Sequence, residues 1–266
     1  MLKDITLGQY FPVDSVVHRL DPRTKLLMLI AFIVLIFVIN SPACYVLAIL
    51  FTLLSMMLTK VPVKMYLKSI KPLWFIVIFT ALLNMFLTKG TYIVKWGNVG
   101  ITEEGLILAV KMALRLVMLL CSSAVLTYTT SPIELTDGME KLLKPFAKIG
   151  LPAHELAMMM SIAIRFIPTL IEETEKIMKA QQARGASFDT GSLFERAKAL
   201  IPMLVPLFIS AFRRADDLAM AMESRCYRGG DGRTRMKQIR FKRVDLLGSL
   251  VFAGFIVITI IFMILL

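Results

Sequence analysis

The sequence contains few of the residues that bind metals or form covalent cross-links. Its 266 residues include three cysteines and two histidines, and Cys44, Cys121 and Cys226 lie far apart along the chain. This spacing excludes a disulfide framework and offers no pattern of metal ligands. A GxxxxGK[ST] phosphate loop is also absent, and no catalytic triad or paired-carboxylate arrangement stands out. We therefore expect no catalytic residue, no metal site and no cofactor bound by this chain itself.

Apolar residues, by contrast, are abundant and occur in long runs. They make up 57% of the chain, whereas an ordinary soluble domain has about 45–50%. The last run is the only one that reaches the roughly 20 residues needed to cross a bilayer unaided, and the others need flanking polar or snorkelling side chains. The sequence predicts an all-α polytopic membrane protein with about five transmembrane helices. The apolar runs are Leu26–Ile39, Ala43–Leu58, Leu73–Leu87, the region around 116–126, and Leu246–Leu266.

Positive charge is distributed unevenly between the predicted loops. A soluble protein with a net charge of +12 would suggest a nucleic-acid partner, but the positive-inside rule explains the pattern better. Of the 31 lysines and arginines, 19 lie in residues 129–243, so we expect that region and the N-terminus to be cytoplasmic, in a protein of the cell membrane. The predicted organisation is a cytoplasmic lead over 1–25, four transmembrane helices over 26–128, long amphipathic cytoplasmic helices over 129–243, and a transmembrane helix over 244–266.

Two long amphipathic helices are predicted in the cytoplasmic region, from about His154 to Arg184 and from about Leu193 to Arg225. Three prolines should kink them, because each removes a backbone donor and clashes with the preceding turn; they are Pro168, Pro202 and Pro206. Each helix ends in an arginine between small residues, in the sequences Ala183-Arg184-Gly185 and Ser224-Arg225-Cys226.

These two arginine-containing helix ends are the candidate functional residues. Small neighbours let a helix end enter a groove, and the planar guanidinium pairs with a carboxylate through two hydrogen bonds. The alternative is that each arginine only complements the negative end of its helix dipole. The occurrence of two matching ends in one segment favours docking to a partner.

The stretch from the third predicted span into the fourth contains turn residues followed by two cations. Lys111 and Arg115 are four residues apart on one helix face, and ionisable groups at membrane depth are functional candidates. Alternatively, Lys111 reaches outward to the membrane surface and Arg115 faces neighbouring helices. The residues interpreted as a turn with an aromatic anchor are Gly90, Trp96, Gly97, Asn98 and Gly100.

The chain resembles the transmembrane coupling (T) component of energy-coupling factor transporters, in the group whose coupling module is shared. The resemblance covers essentially the whole chain and lies in the two arginine motifs, in Gly8-Gln9-Tyr10, in Asp14-Ser15 and in His18-Arg19-Leu20-Asp21-Pro22-Arg23-Thr24-Lys25. Ser224 departs mildly from the family, which usually has alanine there.

This resemblance implies a role and a set of partners. The chain would be a non-enzymatic subunit whose coupling helices dock two ABC-type ATPases, with Arg184 and Arg225 each entering the groove of one of them. ATP and magnesium would bind to those ATPases. An interchangeable integral membrane subunit would bind the substrate, a vitamin or related micronutrient.

Two other functions remain as alternatives. A self-sufficient channel or secondary transporter should show polar residues or broken helices around a midplane site, yet the spans contain only Asn84, Lys111 and Arg115, and the two halves are not repeats. A membrane enzyme could use the acid pairs Glu172-Glu173 and Asp216-Asp217. Adjacent acids on a helix point apart, however, so we expect them to pair with Lys176, Arg213 and Arg214 instead.

Overall fold

A computed structural model describes residues 10–96, 99–150, 152–186, 192–229 and 241–265. Most of this part of the chain is helical, with one short hairpin of two strands. The helices are α1 (Pro22–Val38), α2 (Pro42–Thr59), α3 (Val63–Ile70), α4 (Trp74–Leu87), α5 (Glu103–Thr129), α6 (Pro132–Leu143), α7 (Ala153–Ala183), α8 (Leu193–Ser224) and α9 (Arg243–Leu265). The strands are β1 (Tyr92–Trp96) and β2 (Val99–Thr102).

An aspartate directly before a proline predicts the start of a helix, and helix α1 begins at this pair. Asp21 is the N-cap residue, its side chain accepts a hydrogen bond from the backbone N–H of Arg23, and Pro22 occupies the first helical position. A capping carboxylate satisfies one of the free N–H groups of the first turn, while proline lacks the N–H that would be unpaired there.

The loop between α4 and α5 differs from the prediction. Gly100 lies in β2 of an antiparallel hairpin, where it pairs with Lys95, so its interpretation as a turn residue was wrong. Trp96, interpreted as an aromatic anchor, lies in β1 and pairs with Val99, and its anchoring role stays a prediction. Two other predicted turn residues, Gly97 and Asn98, lie outside the described residues. β-Branched and aromatic residues at 92–94 favour extended backbone, and this preference outweighs the nearby glycines.

Five helical segments in the described part of the chain are long and apolar enough to cross a membrane, which confirms an all-α polytopic membrane protein. They are Pro42–Thr59, Val63–Leu87, Glu103–Thr129, Ala153–Ala183 and Arg243–Leu265. This set is not the predicted one. Helix α1 has 17 residues and is absent from it, whereas α7 qualifies although the sequence assigned it to the cytoplasm. Because Glu172–Lys179 carries five charges, only the first half of α7 is apolar. Its cytoplasmic location, like that of the N-terminus, stays a prediction.

The described residues form two compact units. One contains residues 10–138 and 241–265, and the other contains residues from Met139 to Gly229. In the first unit, α1, α2, α5 and α9 share an apolar core in which the Phe51 and Phe255 rings stack with their centroids 4.3 Å apart. In the second unit, α7 and α8 pack against each other. The predicted boundaries of the membrane and cytoplasmic regions remain predictions.

Arg115 faces neighbouring helices rather than the membrane surface. Its Nη2 donates to the carbonyl oxygen of Ile39 at 3.3 Å and to the hydroxyl of Tyr45 at 3.0 Å. Ile39 follows the last residue of α1, and Tyr45 lies in the first turn of α2. Arg115 therefore ties the α1–α2 turn to α5, which gives this membrane-embedded cation a structural role.

Candidate functional site: two arginine-ended helices

The end of α7 is closed by backbone hydrogen bonds. Arg184 is the C-cap residue, and Gly185 follows in the left-handed conformation with φ = 89°. The N–H of Gly185 donates to the carbonyl of Gln182 at 3.0 Å, and that of Ala186 donates to the carbonyl of Gln181 at 2.9 Å. This pair of bonds defines a Schellman motif, in which a residue with positive φ turns the chain out of the helix.

The end of α8 repeats this motif 41 positions later. The N–H of Cys226 donates to the carbonyl of Glu223 at 2.8 Å, and that of Tyr227 donates to the carbonyl of Met222 at 3.0 Å. Arg225 occupies the position that Arg184 holds in α7. Cys226 takes the left-handed conformation with φ = 56°, although it carries a Cβ that disfavours it. The two predicted docking motifs therefore share one backbone geometry.

Both arginine side chains are exposed. Among the described residues, neither the Arg184 nor the Arg225 guanidinium has a hydrogen bond or ion pair. The neighbours do not obstruct them: the space around Gly185 is open, and the Ser224 hydroxyl donates to the Ala221 carbonyl of its own helix at 3.0 Å. Backbone N–H groups already donate to carbonyls in the last turn of each helix, so the arginine side chains are not needed to cap those carbonyls. The guanidinium groups are therefore available to a partner.

The two helices are joined by a polar contact at matching positions. Glu173 on α7 accepts a hydrogen bond from Arg214 Nη2 on α8 at 2.6 Å, and its other carboxylate oxygen accepts one from the Ser210 hydroxyl. Of the four acids expected to pair with basic residues, Glu173 does so, with Arg214, whereas Glu172, Asp216 and Asp217 form no ion pair with the described residues. We call the contact the Glu173–Arg214 bridge.

Each terminal arginine lies eleven residues beyond the bridge, since Glu173 precedes Arg184 and Arg214 precedes Arg225 by the same interval. At 1.5 Å per residue, each intervening segment is about 16 Å long. We call residues 173–184 and 214–225 the two arms. All three predicted kink residues lie before the bridge, in helices that continue through them: Pro168 in α7, and Pro202 and Pro206 in α8. The arms contain no proline and are uninterrupted helix.

The sequence predicted the paired motifs and included Arg214 among three basic candidates for the acid pairs, but it did not predict which acid Arg214 would bind. Arg214 follows Glu173 by 41 positions, the same interval that separates Arg225 from Arg184. This equal spacing was the one feature of the sequence that could have indicated the bridge. The sequence likewise gave no sign of a role for Lys25 or Asp245, both of which are buried. Both flank apolar runs, where a charged residue is ordinarily interpreted as a membrane-boundary residue.

Comparison with known proteins identifies the family. A family model described as cobalt transport protein, CbiQ, matches residues 14–237. A protein from Acidaminococcus fermentans is 55% identical over 258 residues, which cover 97% of this chain and 96% of the relative. One from Clostridium kluyveri is 57% identical over 252 residues, with 94% and 93% covered, and one from Bacillus subtilis is 50% identical over 240 residues, with 90% and 91% covered. All three are named energy-coupling factor transporter transmembrane protein EcfT.

The chain belongs to this family. It is therefore a transmembrane component of an energy-coupling factor transporter, and the resemblance seen in the sequence is confirmed. The family match extends from Asp14 through α8, so it includes both arginine-ended helices as well as most of the membrane helices. Membership in a family of transporter components favours a subunit without catalytic activity of its own.

A cysteine-to-glycine substitution at one helix end tests the energetic difference between the two Schellman motifs. Left-handed backbone costs a residue with a Cβ about 1–2 kcal/mol, so Cys226→Gly should protect the Tyr227 amide from hydrogen exchange about fivefold more strongly. Gly185→Ala should expose the Ala186 amide by a similar factor. Gly254→Ala in α9, with no neighbouring atom within 4 Å and no positive φ, is the control. Unchanged protection in both variants would refute the role of φ.

Proposed function

We propose that this chain couples two cytoplasmic ATPases to a separate substrate-binding membrane subunit and drives uptake with the energy of ATP. The observation that carries the proposal is the repeated helix end. Two arms of equal length begin at one bridge and present exposed arginines, Arg184 and Arg225, in the same capped geometry. A protein that binds a single partner has no need of this duplication.

Each arginine would enter a groove of one ATPase and bind a carboxylate there. A bidentate arginine–carboxylate pair is stronger than a neutral hydrogen bond and fixes the relative orientation of its two partners. The uninterrupted helix behind each arginine would transmit displacement along its axis. ATP and magnesium would be held by the ATPases, consistent with the absence of a phosphate loop in this chain.

The arms carry opposite charge, which favours two different ATPases. In the α7 arm beyond the bridge, Glu175 is outnumbered by Lys176, Lys179 and Arg184, for a net charge of +2. In the α8 arm, Asp216, Asp217 and Glu223 outnumber Arg225, for a net charge of −2. Juxtaposed like charges disfavour a wrong partner by several kcal/mol. A groove whose charge complements one arm is therefore poorly suited to the other arm.

The substrate would be chosen by the third subunit. The resemblance to shared-module transporters implies vitamins or related micronutrients, with several interchangeable substrate-binding subunits. Exposed apolar side chains on α7 and α8, among them Met159, Met160 and Met220, suit such exchange, because methionine adapts its shape to different surfaces.

Purification of the intact chain tests this function against the channel alternative. A tagged chain extracted from its native membrane should bring down two ATPases in equal amounts together with a membrane subunit, and uptake in vesicles should require ATP. A chain that catalyses uptake alone, without ATPases, would instead be a channel or secondary transporter and would overturn the proposal.

The orientation in the membrane gives a separate prediction. From the distribution of lysine and arginine, we expect residue 95 to lie outside the cell and residue 233 inside. With Cys44, Cys121 and Cys226 replaced, a single cysteine at position 95 should react with a membrane-impermeant maleimide in intact cells. A single cysteine at position 233 should react only after lysis. Labelling of both positions in intact cells would contradict the five-span topology.

A further inference from the structure

The first turn of α1 contains polar side chains that are almost completely buried. Asp21, Thr24 and Lys25 are each less than 10% exposed. Buried charged groups are rare unless they are paired, so this cluster needs a specific explanation. We call residues 21–25 the α1 anchor. Its contacts reach both ends of the segment that contains the two arginine-ended helices.

On one side, the α1 anchor holds the chain where it enters that segment. Lys25 Nζ donates to the carbonyl of Thr129 at 2.8 Å and to the hydroxyl of Thr130 at 3.2 Å, at the end of α5. Farther on, α6 passes so close to Pro22 that a Cβ added to Gly138 would lie 3.0 Å from the Pro22 Cβ. The chain is therefore fixed at two places just before residue 139.

On the other side, the α1 anchor holds the chain where it returns. The carboxylate of Asp245, which is 2% exposed, accepts hydrogen bonds from the backbone N–H of Asp21 at 2.5 Å and of Lys242 at 2.6 Å. This carboxylate lies at the N-terminal ends of both α1 and α9, where a negative charge is stabilised by two helix dipoles. The guanidinium of Arg23 also lies over the Phe241 ring, 4.7 Å from its centroid.

We propose that the α1 anchor, together with Gly138 and Asp245, is the element through which movement of the coupling helices reaches the transmembrane helices. The inference rests on the proposed function, because it assumes that ATPases displace those helices. The chain joins the coupling helices to the membrane unit at two places, just before residue 139 and again after the end of α8. Since both connections contact the same five residues, displacement at either one acts first on the start of α1.

Two substitutions remove the contacts on each side while leaving the docking arginines intact. Lys25→Met keeps the length of the side chain but loses the donors to Thr129 and Thr130. Asp245→Asn keeps the shape but places an amide N–H₂ against one of two backbone donors. In the complete complex, both variants should retain the ATPases and ATP hydrolysis within about twofold. Because about 1.4 kcal/mol of lost coupling corresponds to a tenfold change, uptake per ATP should fall about tenfold.

Controls separate this positioning role from general damage. Lys64→Met, on the exposed face of α3, should leave uptake per ATP unchanged, and Lys25→Arg should recover more uptake than Lys25→Met because it keeps the donors. Gly138→Leu should uncouple by wedging α6 away from Pro22, whereas Gly254→Leu, which has open space around it, should not.

The outcomes distinguish this inference from the proposed function. Wild-type uptake per ATP in the Lys25→Met, Asp245→Asn and Gly138→Leu variants would overturn the role of the α1 anchor and leave the docking role standing. A wild-type chain that co-purifies with no ATPase would overturn both. Loss of uptake in these variants with ATPases bound and hydrolysing would establish the anchor as the coupling element.

Discussion

Replacing both Arg184 and Arg225 by alanine is expected to release both ATPases from the chain and to abolish ATP-dependent uptake. Truncating one partner of a buried ion pair costs about 2–5 kcal/mol, because the other charge is left unpaired. Each 1.4 kcal/mol is about a tenfold change in affinity, so loss of both pairs should prevent co-purification. A single substitution should be tolerated better, since the rest of that arm still contacts its ATPase.

The chemistry of the substituent gives the expected order. Arg→Lys should recover binding only in part, because a lysine keeps the charge but not the two parallel donors. Arg→Glu should be more damaging than Arg→Ala, because it opposes a carboxylate with a carboxylate. Arg228→Ala is the matched control, since Arg228 is an exposed arginine three residues beyond Arg225. Wild-type assembly and uptake in the double alanine variant would show that the arginines only complement their helix dipoles.

A charge reversal at the bridge is expected to have the second largest effect. Glu173→Arg places two guanidinium groups together and removes the acceptor for Ser210, so the arms lose the contact that sets their relative position. The bridge is partly exposed, with 22% of the Glu173 side chain accessible, and its contribution to stability alone is about 1 kcal/mol or less. We therefore expect the chain to remain folded while uptake per ATP falls about tenfold, which corresponds to about 1.4 kcal/mol.

The reciprocal substitution provides the test of mechanism. Glu173→Arg combined with Arg214→Glu restores opposite charges at the bridge, so it should recover a large part of the lost uptake. The control for added charge is Glu172→Arg, because Glu172 is adjacent to Glu173 and forms no salt bridge with a described residue. Equal uptake per ATP in the wild type and the Glu173→Arg variant would show that the bridge does not position the arms.

Local signals in the sequence predicted most of the helices and the positions of the two arginine-containing helix ends. The Asp21-Pro22 start of α1 and the Gly185 end of α7 follow from capping preferences over a few residues, whereas the left-handed Cys226 at the end of α8 does not. The hairpin before α5 was missed because glycines were given more weight than the β-branched residues between them. The sequence assigned α7 to the cytoplasm, whereas its length and composition would allow it to cross a membrane. The two assignments differ because the first half of α7 is apolar and the second half is charged.

Contacts between distant parts of the chain could not be predicted in this way. Lys25 and Thr129 are separated by 104 positions, and Asp21 and Asp245 by 224. Neither pair has a local pattern, since each depends on how four membrane helices pack. The Glu173–Arg214 bridge depends likewise on the register of two helices, which the amphipathic pattern alone leaves undetermined.

Under the proposed function, the two arms would act as levers of equal length that pivot at the Glu173–Arg214 bridge. A swing of about 20° around that point would carry the tip of either arm about 6 Å, given about 16 Å of helix at 1.5 Å per residue. Because the levers have the same length, a given closing distance at either tip produces the same rotation. Two unlike ATPases would then have equal mechanical advantage, and any difference between their power strokes would have to come from the ATPases themselves.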